Sequence, residues 1–163
     1  MKLKVLAICA GNICRSPAAE AAIRAEAEIR GMDVEVDSAG TGAWSIGEPP
    51  NPQSVTAGQR VGLVITGRAR KINSADFDRF DVIVVMDRSN LRDVLALKPS
   101  LAPQAKIRLF RTYDPSADAD EIADPYGQSD ESYDETIRLV MASAAGMLDS
   151  LVLAGVEDSV TLE

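Results

Sequence analysis

The sequence predicts one α/β domain over residues 1–163, with a central four-stranded parallel sheet that carries helices on both faces. Two observations support this fold class. Short apolar runs, typical of strands covered on both faces, alternate along the chain with helical patterns, which is the order of strand–helix–strand units. No internal repeat or low-complexity linker divides the 163 residues, and this length is enough to bury one sizeable core.

Composition narrows the class of protein. Apolar residues make up 46% of the chain and charged residues 26%, as in globular proteins. The net charge of −8 argues against nucleic acid and anionic membranes as main partners, because both reward clustered lysine and arginine. The apolar run at residues 5–8 is too short for a signal peptide, and no other stretch approaches the roughly 18 apolar residues of a membrane span. We therefore expect no membrane span and a cytoplasmic location.

The first strand is predicted at residues 3–8, a continuous apolar run. An alanine-rich helix follows and extends to about Arg30. Ser16 is the expected N-cap and Pro17 the expected first helical residue, since proline is well tolerated at that position. Gly31 is expected to end this helix, because glycine readily adopts the left-handed conformation that follows many helices.

The middle of the chain contains the second and third strands. Residues 34–36 predict a short strand, followed by a Gly- and Pro-rich loop over residues 38–52 and a helix near residues 52–61. Residues 82–86 are the second strongly apolar run and predict a buried strand, with a helix over residues 89–97 behind it.

The last third of the chain begins with a fourth strand, predicted at residues 107–110, and a long polar loop over residues 111–131. The final helix has the clearest pattern, and Ser132 with Glu135 matches a capping box at its start. Its apolar residues recur at helical spacing and are predicted to be core: Ile137, Val140, Met141, Ala144, Met147, Leu148 and Leu151.

The chain has two cysteines, Cys9 and Cys14, and no histidine. Two thiols without histidine do not make up the four Cys or His ligands of a structural zinc site, so we predict no metal and no cofactor. The missing histidine also excludes every Cys-His, Ser-His and metal-His mechanism. An acid or base in this chain must then be Asp, Glu, Lys, Tyr or Cys.

Residues 9–16 follow the first strand, at the sheet edge where ligands of parallel α/β proteins bind. They lead into a helix whose N-terminal N–H groups and partial positive charge suit an anion. Gly11 and Asn12 readily adopt the left-handed angles that a loop needs if its N–H groups are to point inward. The segment therefore predicts a phosphate-binding loop after strand one.

Cys9 lies at the mouth of this predicted loop. The helix dipole and Arg15 both favour a thiolate there, Arg15 offers two donors to phosphoryl oxygens, and Ser16 can hydrogen-bond the sulfur. The same strand–turn–helix pattern also occurs without chemistry, with the cysteine as a small buried apolar residue. From the pattern alone both interpretations stay open.

The loop and its flanks closely resemble the signature of the low-molecular-weight protein tyrosine phosphatases. The matching residues are Cys9-Ala10-Gly11-Asn12-Ile13-Cys14-Arg15-Ser16-Pro17. The resemblance continues in the family's order through residues 38–41 with Trp44, residues 86–92 and residues 124–126, so it covers almost the whole chain. It implies a redox-sensitive cytoplasmic enzyme that hydrolyses phosphotyrosine through a cysteinyl-phosphate intermediate.

The resemblance also implies roles for single residues. Cys9 is the implied nucleophile, Arg15 the implied phosphate-binding residue, and Ser38 an implied support of the loop. The composition of the polar loop leaves two acid candidates, Asp114 and Asp124, each before a proline; the family's Asp-Pro-Tyr motif matches Asp124, which becomes the implied general acid and base. The residues implied to bind substrate are Ala10, Gly11, Asn12, Ile13, Cys14, Ser16, Trp44 and Tyr126.

Three positions carry finer expectations. Related arginine phosphatases carry threonine where this chain has Ile13, so the resemblance favours phosphotyrosine as the substrate. Cys14 is either a packed loop residue or, as in the family, a partner of Cys9 in a reversible disulfide that prevents over-oxidation. Gly67 stands where the family often has a histidine that holds the loop's asparagine and serine, so the sequence does not determine how rigid the loop is.

The implied partners are phosphotyrosine-containing proteins, with a bacterial tyrosine kinase as a candidate. The sequence leaves the oligomeric state open.

Two other functions fit a loop of this kind. Arsenate reductases of the same fold need further cysteines to relay a disulfide, and this chain has none after Cys14. A phosphate- or phosphotyrosine-binding module needs neither a nucleophile nor an acid, whereas Cys9 and Asp124 are both present. The sequence therefore favours the phosphatase over both alternatives.

Overall fold

The sheet has four parallel strands, as predicted. The computed structural model describes residues 2–160, with side chains for all of them except residue 105 and residues 155–160. From edge to edge the strands are β2 (Val34–Gly40), β1 (Leu3–Cys9), β3 (Val82–Val85) and β4 (Ile107–Leu109). The chain therefore leaves β1 toward one edge of the sheet and later returns to build the other edge.

Helices cover both faces of this sheet, which confirms the predicted fold class. The five α-helices are α1 (Arg15–Ile29), α2 (Pro52–Gln59), α3 (Asp76–Arg79), α4 (Arg88–Leu97) and α5 (Asp130–Val160). Residues of α1, α2 and α5 join the core on one face, and residues of α3 and α4 join the core on the other. Two short 3₁₀ turns flank β4, at Gln104–Lys106 and Phe110–Tyr113.

The apolar run of β1 is continuous because both of its faces are buried. Val5 and Ala7 belong to the core under α1 and α5, whereas Leu6 and Ile8 belong to the core under α3 and α4. All four side chains are 0% exposed. Alternation of side chains along a strand sends successive residues to opposite faces, so an uninterrupted apolar run is what a central strand requires.

Helix α1 begins two residues earlier than predicted. Its first residue is Arg15, and the carbonyl of Cys14 already accepts a hydrogen bond from the N–H of Ala18 at 3.4 Å. Ser16 is therefore not the N-cap and Pro17 is not the first helical residue, so both predictions are wrong. The physical reason is that the side chain of Ser16 is engaged by the preceding loop, as described below.

The end of α1 agrees with the prediction. Gly31 has a φ of +62°. Its N–H donates to the carbonyl of Glu28 at 3.2 Å, and the N–H of Met32 donates to the carbonyl of Ala27 at 3.0 Å. This pair of bonds is the Schellman arrangement that a glycine after the helix permits.

Two further boundaries differ from the sequence-based expectation. Strand β2 continues through residues 38–40, which were expected to start a loop, because they pair with residues 7–9 of β1. Helix α5 begins at Asp130, so Ser132 lies inside its first turn and the predicted capping box is wrong. Glu135 instead forms an ion pair with Arg138.

Helix α3 and the turn at Phe110–Tyr113 were not predicted. Each has four residues, which is too short for a helical period to be visible in the sequence. Their positions follow from burial of aromatic side chains, because Phe77, Phe80 and Phe110 are 1%, 1% and 0% exposed. The sequence carries the aromatic residues but not the partners that bury them.

Helix α5 is long and apolar enough to cross a membrane by length and composition, because an 18-residue stretch within Asp130–Ala154 has a mean hydropathy of 1.6. The expectation that no stretch reaches this length is wrong by that measure. One such helix is weak evidence for a span, because the core helix of a globular domain has the same composition. Five of the seven predicted core positions are between 0% and 2% exposed: Ile137, Val140, Ala144, Met147 and Leu148. The other two, Met141 and Leu151, are partly buried and pack against the edge of the same core.

Gly146 allows α5 to pack closely against the turn at Phe110–Tyr113. A Cβ at this position would lie 2.1 Å from the carbonyl oxygen of Tyr113. We expect Gly146→Ala to lower the free energy of unfolding by about 1–3 kcal/mol, the usual cost of overpacking, although alanine favours a helix by about 1 kcal/mol. Urea unfolding measures this change. Ala145→Gly is the matched control, expected to lose only the helix propensity, and a stabilised Gly146→Ala would contradict the close approach.

Candidate active site

The site lies at the central strand β1, where the chain switches from building one edge of the sheet to building the other. Strand β1 is flanked by β2 on one side and β3 on the other, and the chain leaves β1 through residues 9–14 into α1. The loop therefore occupies the crevice at the carboxyl end of the central strands, where parallel sheets bind ligands. The N-terminus of the 15-residue helix α1 faces the same place.

The loop curls around the sulfur of Cys9. Asn12 has a φ of +58°, in the left-handed region, and its backbone N–H donates to Cys9 Sγ at 3.3 Å. Ser16 Oγ lies 3.1 Å from the same sulfur. Cys9 is 3% exposed. The nearly buried sulfur therefore lies against one backbone N–H and one hydroxyl, at the N-terminus of a helix.

The side chain of Asn12 connects three parts of the fold. Its Nδ2 donates to Ser16 Oγ of α1 at 2.8 Å and to Ser38 Oγ of β2 at 3.0 Å. Its Oδ1 accepts from the backbone N–H of Arg70 at 3.0 Å. Asn12 is 3% exposed, so all three bonds are shielded from water. Ser38 thus lies where a support of the loop is expected.

Gly67, the departure from the family pattern, borders this region. It has a φ of +110°, and nothing lies within 4 Å of the Cβ that another residue would add there. The conformation, not lack of space, is what favours glycine. The loop's asparagine is nevertheless held, because the backbone N–H of Arg70 and the hydroxyl of Ser38 both bond to it.

Arg15 divides its donors between the protein and the cleft. One terminal nitrogen, NH1, donates to Asp87 Oδ2 at 2.6 Å and to the carbonyl of Ile122 at 2.9 Å. Its Nε is buried and has no hydrogen-bond partner among the residues that the structure describes. A buried donor without a partner is costly. An anion held in the loop would accept a hydrogen bond from this Nε–H group.

Asp124 approaches this arginine from the opposite side of the cleft. Its Oδ2 lies 3.8 Å from Arg15 NH2, and its side chain is 51% exposed. Its Oδ1 accepts the backbone N–H of Tyr126 at 3.1 Å, which orients the carboxyl group. Asp114, the other candidate acid, instead accepts from the N–H and hydroxyl of Ser116 and does not line the cleft.

The cleft between these groups has a volume of about 320 Å³. Trp44 and Tyr126 form exposed walls, with 72% and 63% of their surface accessible. The Trp44 ring covers Gly42 so closely that a Cβ on that glycine would lie 1.6 Å from it. The residues that line the cleft are Cys9, Ala10, Gly11, Ile13, Cys14, Arg15, Trp44, Ser45, Asp124 and Tyr126.

Comparison with known proteins assigns this arrangement to a family. The family model described as low molecular weight phosphotyrosine protein phosphatase matches residues 4–155. The chain belongs to this family. A curated low molecular weight protein-tyrosine-phosphatase of Streptomyces coelicolor is 39% identical over 152 residues, which cover 91% of this chain and 93% of that protein.

Two solved structures show the same fold. A low molecular weight phosphotyrosine phosphatase of Vibrio cholerae has a TM-score of 0.88 and 32% identity, covering 94% of this chain and 99% of that one. Vibrio vulnificus Wzb in complex with benzylphosphonate has a TM-score of 0.80 and 25% identity, covering 91% and 98%. The resemblance inferred from the sequence is therefore confirmed over nearly the full length of this chain and of the proteins compared with it.

The second cysteine of this family member, Cys14, is buried, and both cysteines are free thiols. Burial raises the pKa of the Cys14 thiol to about 12, and the nearby Cys9 and Asp124 act in the same direction. The pKa of Tyr133, close to this thiol, is also raised by burial, to about 12. Cys14 is therefore a neutral thiol at physiological pH, which is consistent with a packed loop residue.

Of the predicted substrate-binding residues, six line the cleft: Ala10, Gly11, Ile13, Cys14, Trp44 and Tyr126. The side chains of Asn12 and Ser16 lie behind the loop and support it. Three residues were not singled out for the site from the sequence: Asp87, Arg70 and Ser45. Asp87 lies in a segment that resembles the family, but its pairing with an arginine 72 positions away carries no local signal.

Among the side chains that the structure describes, at residues 2–104 and 106–154, no group of three or more Cys, Asp or Glu is arranged to hold a metal ion. The charged and sulfur-bearing groups around the cleft are two thiols, one guanidinium and one carboxyl group, at the N-terminus of a helix. This set of groups matches a phosphate monoester rather than a cation.

Two substitutions of Asn12 separate the contribution of its side-chain hydrogen bonds from that of its left-handed backbone conformation. We expect Asn12→Gly to lower the free energy of unfolding by about 2–3 kcal/mol, because three buried hydrogen bonds are lost. Asn12→Ala should cost about 1–2 kcal/mol more, because alanine also disfavours the left-handed backbone. Urea unfolding of both variants measures the difference. Equal stabilities would contradict the left-handed conformation at this position.

Proposed function

We propose that the chain hydrolyses phosphotyrosine in proteins in two steps, through a phosphate ester of Cys9. The observation that carries this proposal is the buried Nε of Arg15, which has no hydrogen-bond partner among the described residues, in a cleft that Cys9 and Asp124 also line. A phosphoryl group in the loop would satisfy that donor and meet the inward N–H groups at the start of α1.

In the first step the Cys9 thiolate attacks phosphorus. The S–P bond forms as the bond to the tyrosine oxygen breaks, and protonated Asp124 donates its proton to that oxygen. Proton donation is needed because a free phenolate, whose conjugate acid has a pKa of about 10, is a poor leaving group at neutral pH. The products of this step are the dephosphorylated tyrosine residue of the substrate protein, phosphocysteine at position 9 and the Asp124 carboxylate.

In the second step water attacks the phosphocysteine. The Asp124 carboxylate accepts a proton from this water, the S–P bond breaks, and inorganic phosphate leaves. The sulfur departs as a thiolate, and the Ser16 hydroxyl with the N–H of Asn12 stabilises its charge. Asp124 is protonated again, so the cycle closes without a cofactor.

Arg15 has a double role in this proposal. Its NH1 is fixed by Asp87 and by the carbonyl of Ile122, so the guanidinium plane is already oriented before substrate arrives. Its Nε and NH2 remain for two phosphoryl oxygens. A pre-oriented bidentate donor stabilises developing charge without reorganisation during the reaction.

The walls of the cleft support an aryl phosphate as substrate. Trp44 and Tyr126 can enclose an aromatic ring, and Ile13 adds an apolar contact beside the loop. The related Wzb structure contains benzylphosphonate, an aryl-bearing phosphate analogue. We infer that phosphotyrosine-containing proteins are the partners, a bacterial tyrosine kinase among the candidates, and that the enzyme acts in the cytoplasm.

Two substitutions test the proposed roles by hydrolysis of p-nitrophenyl phosphate and of a phosphotyrosine peptide. Cys9→Ser should abolish hydrolysis of both. Asp124→Asn should lower kcat for the peptide by about 10²–10⁴-fold, the usual contribution of a general acid. Its effect on p-nitrophenyl phosphate should be smaller, because that leaving group needs less protonation.

Asp114→Asn is the matched control, since Asp114 also precedes a proline but lies outside the cleft. It should keep wild-type kcat. Hydrolysis that survives Cys9→Ser would refute the mechanism, and a wild type that binds phosphate without turnover would favour a binding module. Arsenate reduction, assayed alongside, should be absent.

We also propose that Cys14 protects Cys9 from over-oxidation. A sulfenic acid on Cys9 would react with the Cys14 thiol, forming a disulfide and releasing water. The reacting species is the Cys14 thiolate, and because the pKa of Cys14 is raised to about 12, the disulfide should form slowly at neutral pH.

Peroxide treatment tests this protection. Activity lost in peroxide should return with dithiothreitol in the wild type but not in Cys14→Ser, whose Cys9 has no partner thiol. The rate of disulfide formation in the wild type should rise roughly tenfold per pH unit, following the thiolate fraction of Cys14. Equal recovery in both proteins would show that Cys14 is only a packed residue.

A further inference from the structure

A second cavity lies behind the phosphate-binding loop. It has a volume of about 50 Å³ and shares no lining residue with the substrate cleft. Asn12 and Ser38 border it, and so do two carboxyl groups that the proposed mechanism does not use, Glu20 of α1 and Asp37 of β2.

Both oxygens of Asp37 have partners. Its Oδ1 accepts the backbone N–H of Ser38 at 2.8 Å, and its Oδ2 lies 3.1 Å from Nε and 3.0 Å from NH2 of Arg70. Arg70 in turn donates to both oxygens of Asp76, at 3.0 Å and 3.1 Å. Asp37 and Asp76 therefore fix the guanidinium of Arg70 from two sides.

Arg70 connects this cluster to the catalytic loop. Its backbone N–H donates to Asn12 Oδ1 at 3.0 Å, and Asn12 Nδ2 donates to Ser16, whose hydroxyl lies 3.1 Å from the sulfur of Cys9. A displacement of Arg70 would therefore loosen the side chain that holds the curl of the loop.

Glu20 differs from its neighbour because its basic partner is more distant. Its side chain is 13% exposed, and among the described residues it forms an ion pair with Arg24, at 3.8 Å. Burial raises the pKa of Glu20 to about 7, and a hydrogen bond with Asp37 contributes to the shift. A protonated Glu20 can donate to the Asp37 carboxylate, whereas an ionised Glu20 cannot.

We propose that Glu20 and Asp37 are positioning residues that share one proton and thereby hold Arg70 and Asn12 in the arrangement that shapes the phosphate-binding loop. This inference rests on the proposed phosphatase function for its effect on activity. Loss of the shared proton would place two carboxylates against each other and make Glu20 compete with Asp76 for Arg70.

The charged groups around the pair come from three parts of the fold. Arg24 faces it from α1, Arg70 and Arg68 from the segment after α2, and Asp76 from α3 through Arg70. Arg24 is about half exposed, so water weakens its attraction for an ionised Glu20. Arg70 is already saturated by Asp37 and Asp76.

The sign of the pH effect follows from the raised pKa of Glu20. Between the ordinary value of 4.5 and about 7, the folded protein binds a proton at Glu20 that the unfolded chain has released. The contribution of this group to stability is complete below 4.5 and is lost as the pH rises through about 7. Support of the loop should decline over the upper part of the same range.

Glu20→Gln tests the inference, because glutamine keeps a donor toward Asp37 at every pH. Between pH 6 and pH 8, kcat/KM of the wild type should fall roughly fivefold to tenfold more than that of Glu20→Gln, the effect of about one hydrogen bond. Glu20→Ala, which has no donor, should be impaired already at pH 6. Glu28→Gln, an exposed position on the same helix, is the matched charge control and should follow the wild type.

Thermal unfolding provides a second measurement that does not depend on activity. The melting temperature of the wild type should decrease from pH 5 to pH 7.5 relative to that of Glu20→Gln. Coincident pH profiles of the two proteins in both measurements would overturn the shared proton. Inactive wild type with the expected melting profile would contradict the phosphatase proposal and leave the carboxyl pair supported. A difference in melting without one in kcat/KM would overturn the positioning role.

Discussion

The left-handed conformation of Asn12, with its three side-chain hydrogen bonds, is the constraint on which the site depends. It turns the backbone so that an N–H points at the Cys9 sulfur, and it ties the loop to α1, to β2 and to the segment that contains Arg70. A left-handed non-glycine residue costs energy, and the buried bonds offset that cost. Because the bonds reach three separate elements, the loop keeps its shape only in the folded domain.

Arg15 shows how the same side chain serves both structure and function. Its contact with Asp87 joins α1 to the start of α4, and its contact with the carbonyl of Ile122 joins α1 to the loop that contains Asp124. The guanidinium thus fixes the distance between the nucleophile and the proposed acid before any ligand binds. Its remaining donors face a cleft in which water is partly replaced by aromatic walls, so their interaction with a phosphoryl group is strengthened.

Two groups of charged or ionisable side chains therefore lie on opposite sides of the phosphate-binding loop. Cys9, Arg15 and Asp124 line the substrate cleft. Glu20 and Asp37 line the cavity behind the loop, and Arg70 is bound to Asp37. The group behind the loop does not touch substrate, yet it determines where the backbone N–H of Arg70 lies, and through Asn12 the shape of the loop. Gly67, with a φ of +110°, lines the same rear cavity as the carboxyl pair, and nothing lies within 4 Å of the Cβ that another residue would add there.

The sequence by itself determined the four parallel strands, the helices on both faces, the glycine end of α1, the core positions of α5, and the placing of Cys9 and Arg15 after strand one, because periodicity and loop spacing are local properties. The resemblance of residues 124–126 to the family's motif already favoured Asp124 over Asp114. Only the tertiary structure decided that α1 begins at Arg15, that β2 continues to Gly40, and that Asp87 and Arg70 support the site. Each of these depends on contacts between residues far apart in the chain. Such contacts form when buried polar groups find partners across elements, and no pattern within one segment records them.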